Sequence, residues 1–266
     1  MTDPAKQSSW DDLTVRTLSS IAMTVLGAAA VILGGVWFQM LVVFVTAVMI
    51  WELWMMIAPD RPTPGMLMAA LTASVMSGQL SLTDDWAIAM FLIVPLVGVT
   101  QIRVERRAFF LFALAIPVAG YGLVHFRMDY GFIWLIWLMS VVIVTDVCGY
   151  FAGKSIGGAK FWPAISPKKT WSGTIAGWAG AAVVGLLFAM FTNAGFTIIA
   201  FSVLLSFAGQ MGDIAESALK RRMRVKDSST LIPGHGGLFD RFDALLGAAL
   251  FMLVVAAVFN VPGVAF

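Results

Sequence analysis

Residues 173–191 read GTIAGWAGAAVVGLLFAMF and residues 196–211 read FTIIAFSVLLSFAGQM, with only Thr192-Asn193-Ala194-Gly195 between them. Neither stretch carries a charge, and a bilayer core takes about 20 apolar residues per helix, with a working range near 17–25. The second stretch falls just under that range. A dense polar run follows at 212–243, GDIAESALKRRMRVKDSSTLIPGHGGLFDRFD, and apolar character resumes from Phe242 onward. Two crossings, a polar segment and a further crossing are the pattern of a helical membrane protein whose chemistry lies at the bilayer surface.

The composition agrees. The chain has 60% hydrophobic and 12% charged residues in 266 positions, against roughly 45–50% and about 25% in soluble domains. A soluble core of this size could not hide so much apolar surface. The net charge of +2 says little about partners, because the charges are gathered in a few loops. Cys148 is the single cysteine, so neither an internal disulfide nor a cysteine metal cluster is available. The N-terminus, MTDPAKQSSWDDLTVR, has no charged-then-apolar signal with a small-residue cleavage site and reads as a retained tail.

Nine segments are apolar and long enough to be read as spans: Thr17–Gly34, Val36–Ala58, Gly65–Leu80, Trp86–Ile102, Ala108–Phe126, Gly131–Gly149, Gly173–Phe191, Phe196–Met211 and Phe242–Val264. Turn signals separate them at Gly34-Gly35, Pro59 through Pro64, Asp84-Asp85, Met128-Asp129 and Asn193-Ala194-Gly195. The expected fold is therefore all-α, a polytopic integral membrane protein of about nine helices. Five lie in residues 1–126 and four in a catalytic region at 127–266, with polar loops at 153–172 and 212–241, all in one continuous membrane domain.

Lys and Arg favour cytoplasmic loops. With nine spans and the N-terminus inside, Lys6, Arg16, Arg61, Arg103, Arg106, Arg107, Lys154, Lys160, Lys168, Lys169 and the 220–241 cluster share one face, and Arg127 alone falls opposite. One span more or fewer in the middle would scatter them. The N-terminus and the large polar loops are thus expected in the cytoplasm.

Within the polar run, Asp213, Glu216, Asp227, Asp240 and Asp243 stand beside Lys220, Arg221, Arg222, Arg224, Lys226 and Arg241, and Gly234, Gly236 and Gly237 surround His235. Carboxylates bind hard cations, basic side chains bind phosphate, and glycines let backbone amides approach an anion. Asp213 lies with Ser217 and Lys220 at i, i+4 and i+7, and Asp240 and Asp243 are three apart, so each set projects from one side of a helix end. Two such ends can clamp a divalent cation, which would relieve carboxylate repulsion at the edge of a low-dielectric core. Asp213, Asp240 and Asp243 are the expected metal ligands.

Asp146 closes the sixth span and shares a helical face with Gly149 or Tyr150 and with Gly153. A carboxylate inside a span costs at least about 2.5–3.5 kcal/mol, so its default reading is functional. The following loop enters the seventh span with Ser166, Lys168, Lys169 and Thr170, a candidate phosphate seat at a helix N-terminus. Plainer readings stand for other residues. Arg103, Arg106, Arg107 and Lys160 are topology and headgroup contacts, and Glu52 is a carboxylate paired at an interface before it is a site residue. His235 is a general base, a metal ligand or a donor that fixes its loop.

Ser217-x-x-Lys220-Arg221, Lys226-Asp227, Pro233-Gly234-His235-Gly236-Gly237 and Asp240-Arg241-x-Asp243 together resemble the signature of the phosphatidate cytidylyltransferases, or CDP-diacylglycerol synthases. Asp146 with Tyr150-Phe151 and Gly153, and Ser166-Pro167-Lys168-Lys169-Thr170-Trp171 before Gly173, resemble that family's second conserved region. The likeness covers about the last 120 residues. The earlier half is similar only as a multi-span region with Glu52. Ser172 stands where the family usually has an acidic residue, and Cys148 where a glycine is expected.

The resemblance implies a reaction of CTP with phosphatidate, giving CDP-diacylglycerol and pyrophosphate. The nucleophile is a phosphomonoester with a second pKa near 6, already ionised at neutral pH, so no strong base is needed. Positioning and electrostatics by Mg²⁺ and cationic side chains should dominate. In this reading Asp213 and Asp240 hold Mg²⁺, with Asp243 a third ligand or a support and Asp146 nearby; a second cation is compatible with nucleotidyl transfer. Lys168, Lys169, Lys220, Arg221 and Lys226 neutralise CTP and the lipid phosphate. Ser166, Thr170, Arg241 and the loop of His235, Gly236 and Gly237 bind the phosphates. No nucleic acid is involved, the setting is a bacterial inner membrane, and a homodimer rests on the resemblance alone. A CTP-dependent polyprenol kinase, which would release CDP, and a secondary transporter using Asp146 and Glu52 are the competing readings.

Overall fold

The computed structural model describes residues 4–82 and 85–259, with side chains for 17–82 and 88–259. Residues 1–3 of the expected N-terminal tail, 260–264 of the last expected span and Asp84 of the expected turn lie outside the described residues. Helix follows helix: α1 (Pro4–Leu33), α2 (Gly35–Ile57), α3 (Pro62–Ser81), a 3₁₀ helix (Asp85–Leu92), α4 (Ile93–Gln101), α5 (Arg106–Asp129), α6 (Phe132–Ser155), α7 (Trp171–Phe191), α8 (Thr197–Met223) and α9 (Phe239–Val258). Each expected span has helical structure at its place. Six of these helices, α2 and α5 to α9, are long and apolar enough to cross a membrane among the described residues, and the protein is an integral membrane protein. The breaks occur where the backbone needs glycine: Gly34 and Gly35 separate α1 from α2 at φ 63° and 48°, and Gly131 precedes α6 at φ 90°.

The structure departs from the expected loops in three places. Residues 4–16, read as a polar tail, continue α1. The polar segment 153–172 holds a two-stranded antiparallel hairpin, β1 (Lys160–Trp162) and β2 (Ser166–Thr170), so the fold is helical with one small β element. The polar segment expected from residue 212 stays helical to Met223 and closes at Arg224, in the left-handed conformation at φ 57°. Ile214 and Leu219 are buried, and Lys220 pairs with Glu216 one turn earlier, so this polar stretch keeps an apolar face and an i,i+4 ion pair.

The chain forms two compact units. The first contains residues up to Ala113 with Val225–Arg241, and the second contains Leu114–Arg224 with the chain from Phe242 onward. In the first, Ile50, Leu53 and Trp54 of α2 are fully buried with Met76 and Phe109. Trp54 meets the Phe109 ring edge-on at 5.8 Å, and its indole N–H donates to the Arg61 carbonyl at 2.8 Å. A Cβ on Gly65 would stand 2.7 Å from the Trp54 ring, so the start of α3 lies directly on that indole.

The second unit is organised by small residues. Trp137, Leu138 and Val141 of α6, Ala181 of α7, Leu205 of α8 and Ala248 of α9 form its buried core. Polar ties cross the helices within it: Trp137 Nε1 donates to Ser202 Oγ at 2.9 Å, and Thr145 Oγ1 to Ser206 Oγ at 2.8 Å. A Cβ on Gly173 would come within 2.6 Å of the Gly149 carbonyl, and one on Gly177 within 3.0 Å of Thr145. On the other side, Gly209 and Gly212 of α8 lie against Ala244 and Gly247 of α9, where a Cβ on Gly212 would meet the Asp243 carbonyl and stand 2.9 Å from Gly247 N. In lipid there is little hydrophobic drive between helices, so close backbone approach through small residues is a main source of packing energy.

Candidate active site

These crossings shape a cavity of roughly 400 Å³ within the second unit. That is within the usual range of small-molecule sites, about 300–1,000 Å³. Asp146, Gly149, Tyr150, Gly153 and Lys154 of α6 form one wall, Lys168, Lys169 and Thr170 of β2 a second, and Gln210 and Asp213 of α8 a third. The helical face proposed for Asp146, Gly149 or Tyr150, and Gly153 is thus the face that lines the cavity. The hairpin makes the basic wall rigid, because β2 is paired to β1 and Thr170 then caps α7, its hydroxyl accepting from Gly173 N at 3.2 Å. Thr170, expected to hold phosphate, lines the cavity, and its hydroxyl also shares a 2.9 Å bond with Ser172. Ser172, standing where an acidic residue was expected, donates to the Gly157 carbonyl at 2.5 Å.

The charges inside the second unit are cross-linked. The Lys169 ammonium pairs with Asp213 Oδ2, and Ser217 Oγ donates to Asp213 Oδ1 at 3.2 Å. Lys220 pairs with Glu216 at 2.5 Å, and Glu216 is fully buried. Asp213, Asp146 and Lys220 all lie close enough for their charges to act on Asp243. Asp213 follows Gly212 and Asp243 precedes Ala244, so both carboxylates hang from the glycine contact between α8 and α9. Arg221 Nε donates to the Ile165 carbonyl at 3.2 Å and so ties α8 to the hairpin turn before Ser166.

The remaining expected residues belong to the first unit, where the 225–241 segment is held on α2. Glu52 is fully buried and accepts from Ser229 Oγ at 2.6 Å, Phe239 N at 2.6 Å, Leu238 N at 2.9 Å and Ser228 Oγ at 3.4 Å. Its carboxylate therefore takes up amides that the start of α9 would otherwise leave without partners. Asp240 accepts from Ser228 N and Ser228 Oγ, each at 2.9 Å, and from Gly237 N at 2.8 Å. His235 bonds Ser19 through Nδ1 and Ser20 through Nε2, each at 2.9 Å. Arg241 donates to the His235 carbonyl at 2.5 and 3.1 Å. Of the three roles open to His235, these contacts match the loop-fixing one. Gly236 sits at φ 82°, where a Cβ would fall 2.7 Å from Asp240 Oδ2. Of the loop amides expected to face phosphate, Gly237 N donates to Asp240 and His235 N to the Ile232 carbonyl. Lys226 lines a separate, open pocket with Trp51, Met55 and Ser228 to Leu231.

Sequence reading missed Lys154, Phe161 and Gln210 as cavity residues. For Lys154 the signal was present, two turns beyond Asp146 on one helix. Phe161 and Gln210 carry no sequence signal, since only the hairpin and the α7–α8 packing bring them to the cavity. Glu52 was read as structural, and four donors on one buried carboxylate agree.

Among the described residues, no three acidic, histidine or cysteine side chains are gathered into a ready-made ligand set. Mg²⁺ ordinarily takes one or two carboxylates and completes its octahedron with waters and substrate phosphates. Asp213 and Asp243 on neighbouring helices, with Asp146 and room in the cavity, fit that ion.

The fold and the cavity define a polytopic membrane protein with a pocket of lysines and carboxylates suited to phosphorylated substrates. The chain belongs to the cytidylyltransferase family, whose model matches residues 14–259. It is 33% identical over 261 residues to a phosphatidate cytidylyltransferase of Brucella suis, covering 95% of this chain and 96% of that one. It is 30% identical over 250 residues to the phosphatidate cytidylyltransferase of Staphylococcus haemolyticus, covering 87% and 94%. A 39% identity over 135 residues, half of each chain, relates it to the enzyme of that name in Bacillus subtilis.

Proposed function

We propose that this protein transfers the cytidylyl group of CTP to phosphatidate, giving CDP-diacylglycerol and pyrophosphate. Near-complete coverage of relatives named for that reaction supports it. The observation that carries it is that one cavity holds Asp146 and Asp213 together with Lys154, Lys168 and Lys169. A lipid phosphate oxygen forms a bond to the α-phosphorus, the bond from the α-phosphorus to its bridging oxygen breaks, and pyrophosphate leaves with the electron pair. Both reactants are polyanions. Bringing them into line is the main obstacle, and the cavity lysines offset it by neutralising phosphate charge at a low-dielectric edge.

Mg²⁺, held by Asp213 and Asp243 with Asp146 beside them, would polarise the phosphates and stabilise the departing pyrophosphate. Asp240 acts indirectly in this reading, by folding the loop that carries Lys226, His235 and Arg241. Phe151, on the same helix as Asp146 but not among the cavity-lining residues, is 62% exposed and suits contact with acyl chains. Nine crossings with the N-terminus and the basic loops in the cytoplasm complete the reading, since CTP is supplied there and the cations would share that side. A plasma membrane of bacterial type is the corresponding location.

The test is purified protein in detergent with CTP labelled in the cytidine ring, phosphatidate and Mg²⁺. A lipid-extractable cytidine product with equimolar pyrophosphate, abolished by EDTA, is expected. Release of CDP with no labelled lipid would replace this reading with a kinase.

A further inference from the structure

Lys169 occupies the oxygen that a metal would need. Its ammonium pairs with Asp213 Oδ2, and the two side chains are 26% and 28% exposed, so the pair sits in partly desolvated surroundings at the cavity wall. Its backbone cannot drift away, because β2 is held by β1 on one side and by the Thr170 cap of α7 on the other. The side chain is the mobile part: four methylenes let the ammonium leave Asp213 while remaining in the cavity.

An ammonium and a divalent ion cannot share one carboxylate oxygen. Resting on the cytidylyltransferase reading above, we propose that Lys169 is an internal counter-ion that competes with the divalent metal for Asp213 and moves onto the triphosphate when the nucleotide enters. Metal alone must displace a partly buried ion pair and leave the ammonium without its Asp213 partner, which is unfavourable. Metal arriving with a nucleotide gives Lys169 a phosphate in exchange. The two ligands therefore reinforce each other through this side chain, and the site stays closed to free divalent ions until a nucleotide is present. Lys168 lines the same cavity but has no such bond to Asp213.

The experiment measures Mn²⁺ binding to the full-length protein in detergent, by loss of the free-ion paramagnetic resonance signal, without and with α,β-methylene-CTP. Lys169→Met should bind Mn²⁺ alone at least tenfold more tightly than wild type, with most of the gain from added nucleotide lost. Lys169→Gln, measured in parallel, should behave alike should the Met variant fail to fold. Lys169→Arg should retain weak binding of Mn²⁺ alone. Lys168→Met removes the same charge from the same cavity and should change Mn²⁺ affinity less than threefold. If Lys168→Met tightens binding as much as Lys169→Met, the effect is a general field and direct competition is refuted. Unchanged Mn²⁺ affinity in both neutral Lys169 variants refutes it as well. The radiolabelled assay tests the reaction itself, so failure of one reading is distinguishable from failure of the other.

Discussion

Glu52 offers the sharpest test of how the polar loop is held. Replacing it with Ala removes the acceptor for the Leu238 and Phe239 amides and for the Ser229 hydroxyl, and the longer contact from Ser228. Each buried donor left without a partner costs about 1–3 kcal/mol. Ser228 already donates to Asp240 and loses little. Two amides and one hydroxyl at that rate give about 3–9 kcal/mol, and the measured range for breaking a buried charged pair sets the upper part of this, so the local loss is about 3–5 kcal/mol. Every 1.36 kcal/mol is a factor of ten, so opening of 225–241 should become roughly a hundred to several thousand times more frequent. Hydrogen–deuterium exchange read by mass spectrometry on peptides spanning 225–241 measures this directly, with peptides of α6 and α7 as internal reference. Glu52→Gln keeps one acceptor oxygen but turns an NH₂ toward the amides, and should fall between, at roughly ten- to hundredfold. Protection within threefold of wild type in Glu52→Ala, or an equal loss of protection in α6 and α7, would refute the assignment of Glu52 as the latch of this segment.

Other expectations follow from the same geometry. Asp213→Asn and Asp243→Asn should each lower formation of cytidine-labelled lipid at least a hundredfold while membrane insertion, read by carbonate extraction, is unchanged; turnover above a tenth of wild type would remove that residue from the metal site. His235→Ala should weaken the 225–241 segment by about 1–2 kcal/mol through its two serine bonds yet reduce turnover less than tenfold, whereas a loss beyond a thousandfold would mark a base or ligand. Thr170→Ala should cost about 1 kcal/mol of stability through the lost cap, and Thr170→Ser should restore it, as measured by thermal unfolding in detergent. Gly212→Val should force α8 away from α9 and abolish activity even though no catalytic side chain is altered; near-normal turnover would show that the crossing is not needed.

Apolar character and length made the helices legible because a bilayer allows few alternatives: every backbone group in lipid must be bonded within its own segment. The glycine pair at 34–35 announced a break that the backbone takes up. The polar stretch from Gly212 was harder. Read by composition it is loop, yet the burial of Ile214 and Leu219 and the Glu216–Lys220 pair keep it helical to Met223. The hairpin at 160–170 was hidden for a different reason, since strands of three and five residues give too little alternation to register against lysines and prolines. In the site, Asp146, Asp213, Lys168 and Lys169 were recognisable from charge set against an apolar background. Gln210 was not, because its place depends on how α7 lies on α8. The partners of Asp240 and His235 were out of reach for the same reason: Ser228, Ser19 and Ser20 are ordinary serines until the fold sets them beside those side chains.

The glycine crossing of α8 and α9 has one more consequence. Bilayers vary in thickness, and helices respond by tilting at a cost of fractions of a kcal/mol per Å of mismatch. Two rods that touch backbone to backbone at Gly212 and Gly247 tilt about that point, so displacement is smallest there and grows toward their far ends. Asp213 and Asp243 sit at the fulcrum. An enzyme that alters the lipid composition of its own solvent would thereby keep its working distances while the surrounding membrane swells or thins.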